Sequence, residues 1–399
     1  MRFAPKQVVV IGAGSIGTEF SKQAKVAGWN VSAMVNSRGA TGAYPVTFRT
    51  RGDSEEIEKF VNHLSRYVRP DLAVFALPSG GDGSTELAYM MPFLKSGVSV
   101  VTAGKSAVAG QYDKLAPFLG KVGMTATVGG GTRILHFLKQ WLDPSQPFDL
   151  GLVINGTMSY IMCRIWQGDS LEVALKGAIA MKFAEPPEEG EALSPLKVFR
   201  GEIEDVARKI AIILNELGYP ETGRGCRQDD LKMVPLDEDH LRAVTRPDAR
   251  MKYVVWMTRL RGGTSEESMV DFDPEAPGSV SGQFGPFSVG GGFCFIPERS
   301  ALANWVPNDG AGNAMLVLQK GNKLVMSGPG AGPPPTAASM MFDAERLTGG
   351  REQVVPVRWP WAEFPGGGKN VVTEPIGDNC LTRDPVQDPR ADDFARTRP

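Results

Sequence analysis

Residues 7–17 read QVVVIGAGSIG. Gln7–Ile11 is a short, continuous apolar run, the pattern of a strand buried on both faces of a parallel sheet. It runs directly into Gly12-Ala13-Gly14-Ser15-Ile16-Gly17, and a helix-like segment over 18–27 follows. A G-x-G-x-x-G alone carries little information. Between a strand and a helix it is the dinucleotide-binding fingerprint. Its glycines permit a tight turn and close backbone approach to a pyrophosphate seated on the helix N-terminus. The bland alternative is a strand–helix turn without a ligand.

Working outward, the second strand is expected over 29–35. An NAD site offers Asp or Glu to the ribose hydroxyl at about twenty residues past the turn. This chain offers Asn36-Ser37-Arg38. A hydroxyl and a guanidinium suit a 2′-phosphate, so the reading favours NADP, with NAD possible. Residues 72–77 form the next apolar run, closed by the small-residue loop Pro78-Ser79-Gly80-Gly81. A helix over 85–94 leads to a strand over 98–102, which ends in Ala103-Gly104-Lys105. A lysine there either points into the ligand crevice at the carboxyl edge of the sheet or is a solvated strand end. A strand over 124–128, the turn Gly129-Gly130-Gly131-Thr132 and a helix over 133–141 complete this half.

Past Pro144 the texture changes. A strand over 150–155 meets Gly156-Thr157 and a helix to about 167; another helix spans 171–181 and is broken at Ala184-Glu185-Pro186-Pro187. Residues 201–218, GEIEDVARKIAIILNELG, carry Val206, Ile210, Ile213, Leu214 and Leu217 at helical spacing. Asp205 and Lys209 stand one turn apart on one face. By spacing alone they are either a surface ion pair or a charged couple in a pocket wall. Residues 251–325 alternate apolar runs and glycine turns, which is sheet-like. A helix over 336–347 is expected to return to the first half. Beyond 349 the chain is rich in Pro, Gly and charge and reads as an extended or partly disordered appendage.

Composition narrows the function. The 399 residues carry a formal net charge of −2, so no basic field recruits nucleic acid or an anionic membrane. His63, His136 and His240 are isolated in sequence, and Cys163, Cys226, Cys294 and Cys380 show no paired metal spacing. No metal site is expected. No apolar run is long enough to span a bilayer, and the N-terminus enters a strand without a signal-peptide pattern, so a cytoplasmic protein with reduced thiols is expected.

The order of these segments resembles the homoserine dehydrogenase family over roughly residues 7–347. VVVIGAGSIG looks like its nucleotide loop, VTAGK its strand-end T-A-N-K, and TVGGGTRIL its glycine turn. NGTMSYI resembles N-G-T-x-N-Y-I, FAEP resembles Y-x-E-P-D, and GEIEDVARK resembles G-x-D-x-A-R-K. GPGAGPPPTAASMM resembles the closing G-x-G-A-G-x-x-P-T-A-S. The resemblance implies interconversion of L-homoserine and L-aspartate 4-semialdehyde with a nicotinamide cofactor. It makes Lys209 the proton donor and acceptor, Lys105 a second active-site lysine that also meets cofactor, and Asp205 the carboxylate orienting lysine and substrate. It makes Glu185, Gly156 and Thr157 substrate-facing. Gly12 to Gly17, Ser37, Arg38 and Ser79 are then cofactor residues.

The chemistry asks for such groups: hydride leaves a carbinol carbon only as the hydroxyl loses its proton, so a base must lie within hydrogen-bond reach. The departures fall on the substrate side. Asn becomes Gly104, Tyr becomes Phe183, and the family's acidic pair becomes Pro187-Glu188-Glu189 followed by an insertion over 190–200. The acidic residue at the family's monovalent-cation site is Thr125, although backbone carbonyls near Val128 and Gly130 remain available. Two other readings stay open: another small amino or hydroxy acid as substrate, or a nucleotide-binding protein with little catalysis.

The expected fold is α/β, a Rossmann dinucleotide-binding domain plus a second α/β substrate and dimerisation domain. Expected bounds are 1–148 with 328–348 for the first and 149–327 for the second, with 349–399 a tail. A small-molecule substrate and a homodimer are the expected partners.

Overall fold

The structure, a computed structural model, describes residues 5–36, 38–42, 46–47, 54–187, 190–218, 224–259, 273–298, 300, 302–307, 310–349 and 372–375. Strand β1 (Gln7–Ile11) is flanked on both sides and buried on both faces, which is why its apolar run is continuous. Helix α1 (Ser15–Val26), strands β2 (Asn30–Asn36), β3 (Gly39–Gly42) and β4 (Val46–Thr47), helix α2 (Ser54–Val68), strand β5 (Leu72–Phe75) and helix α3 (Ser84–Lys95) follow. Strand β6 (Ser99–Thr102), helices α4 (Ser106–Gly110) and α5 (Tyr112–Leu115), strand β7 (Val122–Gly123) and helix α6 (Ile134–Trp141) complete this half. The sheet order is β4-β3-β2-β1-β5-β6-β7. Strands β2, β1, β5, β6 and β7 run parallel, and β3 and β4 fold back antiparallel at one edge. The connections reverse direction between β1 and β5, which opens a crevice at their carboxyl ends.

The second sheet is antiparallel. Strand β8 (Phe148–Val153) is followed by helices α7 (Gly156–Trp166), α8 (Leu171–Ala180) and α9 (Pro195–Glu216). Then come strand β9 (Lys232–Met233), helix α10 (Glu238–Val244), and strands β10 (Met251–Arg259), β11 (Val280–Phe284), β12 (Phe287–Phe295), β13 (Gly312–Gln319) and β14 (Asn322–Pro329). Helix α11 (Pro333–Leu347) and strand β15 (Val372–Pro375) end the described chain. The order is β15-β14-β13-β8-β10-β12-β11-β9.

Packing ties the two sheets together. Helix α11 leaves the second sheet and lies on the first: Ala337, Met340, Met341 and Ala344 pack with Phe20 and Ala24 of α1 and with Val8, Val10, Leu72 and Val101. The other face of that sheet, with Val9, Ile11, Ala73 and Phe75, joins a core that runs through α6 and α9 to Leu150, Leu152, Val255 and Met257. Trp305 and Val306 cover the far face of the second sheet over Val153, Trp256 and Leu316.

Three segments differ from the sequence reading. Helix α9 starts at Pro195 rather than near Gly201. The Ser194 hydroxyl accepts from the Lys197 N–H at 3.3 Å and Pro195 sits in the first turn, a strong start signal, so much of the expected insertion is helix. The expected strand over 124–128 does not form: the ladder ends with β7 at Gly123. The Asp343 carboxylate of α11 accepts from Thr125 N–H at 2.7 Å and from its hydroxyl at 2.8 Å, drawing 125–127 out of the ladder into a 3-10 turn. In the tail, residues 372–375 pair antiparallel with β14; positions 350–371 and 376–399, with Cys380, lie outside the described residues.

Candidate active site

The three glycines of the nucleotide turn have different reasons to be glycine. Gly12 has φ +107° and a Cβ there would lie 2.3 Å from the Ala76 carbonyl oxygen, just past β5. A Cβ at Gly17 would lie 1.9 Å from the Gly12 carbonyl oxygen. Protein packing demands both. A Cβ at Gly14 would meet nothing within 4 Å, and no side chain caps the α1 N-terminus it opens. Open space above uncapped N–H groups is a cradle for a diphosphate, and Ala13, Ser15 and Ile16 line the same turn. The residues present fit a dinucleotide. Arg38 is exposed at the end of β2, its N–H bonded to Asn36 Oδ1 at 2.8 Å. Ser37 lies outside the described residues.

Ser79 and Lys105 meet at the carboxyl edge: the Lys105 N–H donates to Ser79 Oγ at 3.2 Å, and Gly80 N–H donates to Ser106 Oγ at 2.7 Å. Beneath this turn lies Glu86 of α3, which sequence reasoning missed. Its carboxylate accepts from the Thr102 hydroxyl at 2.8 Å and from Ala107 N–H at 3.0 Å. Burial pushes its pKa up, against those two hydrogen bonds. A Cβ at Gly104 would lie 2.2 Å from Glu86 Oε1. The exchange of Asn for Gly104 thus has a local cause, because a carboxylate fills that space.

The centre of the site is Asp205. Its Oδ1 lies 3.1 Å from Lys105 Nζ and its Oδ2 lies 2.6 Å from Lys209 Nζ. Lys209 Nζ also donates to the Ile154 carbonyl at 2.6 Å. The side chains of Lys105, Asp205 and Lys209 are 20%, 18% and 8% exposed, so the cluster is enclosed but reachable. Burial alone would raise the Asp205 pKa; the Lys105 and Lys209 charges outweigh it and hold the carboxyl below its usual range. The surface-pair alternative for Asp205 and Lys209 fails on this geometry.

Two further side chains complete the cluster without having been singled out in the sequence. Asn155 caps α7, its Oδ1 accepting from Met158 N–H at 2.8 Å. Its Nδ2 therefore faces the other way, donating to Glu202 Oε2 at 2.6 Å and Asp205 Oδ2 at 3.3 Å. The visible signals were the Asn before Gly156-Thr157 and a carboxylate three residues before Asp205.

The expected substrate loop is packed tightly. A Cβ at Gly156 would lie 2.8 Å from Ala331 Cβ, and the buried Thr157 hydroxyl donates to the Phe183 carbonyl at 2.8 Å. Glu185, two residues on, is exposed and makes no hydrogen bond or ion pair among the described residues. The structure does not join it to the cluster. Glu188 and Glu189 lie outside the described residues. Near the expected cation carbonyls, the Gly130 carbonyl accepts from Ser339 Oγ at 2.8 Å. No group of three or more His, Cys, Asp or Glu able to hold a metal occurs among the described residues. Nor is any described helix long and apolar enough to cross a membrane.

A parallel sheet of Rossmann type, with a glycine-lined nucleotide turn beside a lysine–carboxylate cluster, joined to a second antiparallel sheet, defines a mixed α/β nucleotide-binding architecture. The family model for homoserine dehydrogenase matches residues 134–344, and the chain belongs to the homoserine dehydrogenase family. It is 24% identical over 373 residues to the Zea mays chloroplastic bifunctional aspartokinase/homoserine dehydrogenase 1, covering 86% of this chain and 38% of that relative. The chain thus spans well under half of that relative's length. Its fold is similar to a crystal structure of homoserine dehydrogenase from Thermoplasma acidophilum, with a TM-score of 0.60 at 17% identity over 87% of this chain and 100% of that one. It is also similar to a hyperthermophilic archaeal homoserine dehydrogenase in complex with NADPH, with a TM-score of 0.56 at 19% identity over 86% and 98%.

Proposed function

We propose that the protein is an NADP-preferring homoserine dehydrogenase that interconverts L-homoserine and L-aspartate 4-semialdehyde. The observation that carries this reading is Asp205 bridging Lys105, from the carboxyl edge of the nucleotide sheet, and Lys209, from α9. Residues 1–148 with 328–348 hold the cofactor in this reading, and 149–327 hold substrate and a homodimer contact in a cytoplasmic enzyme. The NADPH complex of the archaeal relative supports the cofactor class. Arg38 supports the phosphorylated form through its exposed guanidinium.

The nicotinamide, when bound, accepts or supplies the hydride. Lys209 handles the proton. As an ammonium it has three donors, of which Asp205 and the Ile154 carbonyl take two among the described residues. The third is left for a substrate oxygen. In reduction that donor supports charge developing on the aldehyde oxygen and then transfers the proton. In oxidation neutral Lys209 accepts the hydroxyl proton. Asp205 fixes the amine and stabilises its cationic form. Lys105 meets only one oxygen of Asp205, which leaves donors for substrate beside the Ser79 turn. Glu185, exposed and away from the cluster's contacts, is assigned as a second substrate-facing carboxylate in this reading, with Gly156 and Thr157 as substrate-facing loop residues.

The test is direct. Purified protein with L-homoserine and NADP or NAD, followed at the reduced-nicotinamide absorbance, is expected to turn over with a preference for NADP. Absence of turnover with both cofactors would remove the reading. One observation favours a second substrate of the same size: Phe183 replaces a family tyrosine and packs edge-on to Tyr160 at 5.2 Å between ring centres. A panel of small amino and hydroxy acids in the same assay decides between them.

A further inference from the structure

Beside the lysine–aspartate cluster lies a carboxylate that the chemistry above does not use. Glu202 lies on α9 three residues before Asp205, so both side chains leave the same side of the helix. Asp205 is neutralised by two lysines. Glu202 makes no ion pair among the described residues; its only side-chain partner there is the neutral Asn155 amide, at 2.6 Å. The amide cannot turn away, because its oxygen caps α7 at Met158. Glu202 is therefore held in place with no cation in direct contact among the described residues, the Lys209 and Lys105 charges acting on it only from a distance. The residue as a whole is only partly buried.

A carboxylate has room for several donors, and one left beside an amino-acid site calls for a cation. Homoserine supplies one. Its ammonium and its reacting hydroxyl are four bonds apart, a reach comparable with the about 5–6 Å between side chains one helical turn apart. A hydroxyl at Lys209 and Asp205 thus leaves the ammonium one turn up the helix.

We propose that Glu202 is a specificity-determining residue of this site, the carboxylate that receives the primary ammonium of the substrate. The proposal rests on the amino-acid substrate reading above and gives Glu202 the larger share of that contact, ahead of the exposed Glu185. It carries a pH signature. Burial and the neighbouring Asp205 charge push the Glu202 pKa up to about 7, with Asn155, Lys209 and Lys105 pulling the other way. Only the ionised form attracts an ammonium, so KM for the amino acid falls as pH rises through about 7.

The experiment compares L-homoserine with 4-hydroxybutyrate, the same hydroxylated chain without the ammonium, in wild type, Glu202→Gln, Glu202→Asp and Glu185→Gln. NADPH binding and melting curves serve as folding controls. Glu202→Gln is expected to raise KM for homoserine about tenfold or more, with kcat within a few-fold. It should leave kcat/KM for 4-hydroxybutyrate within about twofold and abolish the pH dependence of KM. Glu202→Asp keeps the charge and is expected to retain part of the preference and the pH dependence. Glu185→Gln is expected to have the smaller effect on KM. An unchanged KM in Glu202→Gln, equal losses on both substrates, or a larger effect from Glu185→Gln would overturn the proposal while leaving the enzyme's function standing. A wild type that does not turn over homoserine removes the functional reading first, and this proposal with it.

Discussion

Asp205 is one carboxylate with two ammonium partners, and in the proposed reaction the three side chains divide the work unevenly. If Lys209 carries the proton, Lys209→Ala lowers kcat by about 10²–10⁴ while NADPH still binds. The loss falls on turnover more than on KM, because the contact strengthens at the transition state. Asp205→Asn keeps the shape and removes the charge that holds Lys209 and Lys105 in place, so turnover falls and substrate binding weakens. Kinetics of both variants from about pH 6 to about pH 10, with melting curves alongside, check this. Folded Lys209→Ala with wild-type turnover would return the pair to a structural role. At the cofactor end, Arg38→Ala removes the guanidinium proposed to meet the 2′-phosphate and should raise KM for NADP about tenfold or more while barely touching NAD. Equal effects on both cofactors would detach Arg38 from the 2′-phosphate.

At the scale of elements, turns and helix ends set the geometry. Gly12 and Gly14 sit two residues apart in one turn, yet alanine should act on them differently. Gly12→Ala forces a side chain onto the Ala76 carbonyl at positive φ and should cost about 1–3 kcal/mol in a denaturation curve. Gly14→Ala has room in the protein and should leave the melting temperature nearly unchanged while weakening cofactor binding. Equal melting shifts would show that Gly14 is also a packing glycine. The strand-end turn is a second such element. Gly104→Asn, which restores the family residue, collides here with Glu86 Oε1. It should lower kcat by displacing Lys105, and Gly104→Asn combined with Glu86→Ala should recover part of it. Helix α9 was legible from its apolar spacing and Gly218, which has φ +90° beyond its last turn. Its start is less legible, because Gly201 resembles a boundary while Ser194-Pro195 is the stronger signal.

Across the whole molecule, the site exists because two sheets are held in fixed relation. Helix α11 is one tie: it follows β14, packs on α1, and offers Asp343, 1% exposed, to the backbone and hydroxyl of Thr125. Burial raises the Asp343 pKa, against the two Thr125 bonds. Asp343→Ala strands a buried N–H and hydroxyl and should destabilise by about 1–3 kcal/mol, read as a lower urea midpoint. A midpoint unchanged from wild type would mean that packing of Met340 and Met341 alone holds α11 in place. The Lys105–Asp205 pair is the second tie, and it spans 100 residues of sequence as a direct consequence of that docking.

The amino-acid sequence determined the local features: the strand–glycine–helix turn, the apolar periodicity of α9, the Asp205–Lys209 spacing and the family pattern along the chain. These rest on neighbours in sequence, where backbone geometry leaves few alternatives. Tertiary structure decided what lies across from what. Periodicity left Asp205 and Lys209 free to be a surface pair; the docking of α9 against the nucleotide half brought Lys105 to the same carboxylate and enclosed the three, with Lys209 buried. The strand over 124–128 looked regular until Asp343, more than two hundred residues away, captured Thr125. Glu86 and Glu202 carried no motif, because a lone carboxylate on a helix acquires its meaning from the residues that desolvate and face it.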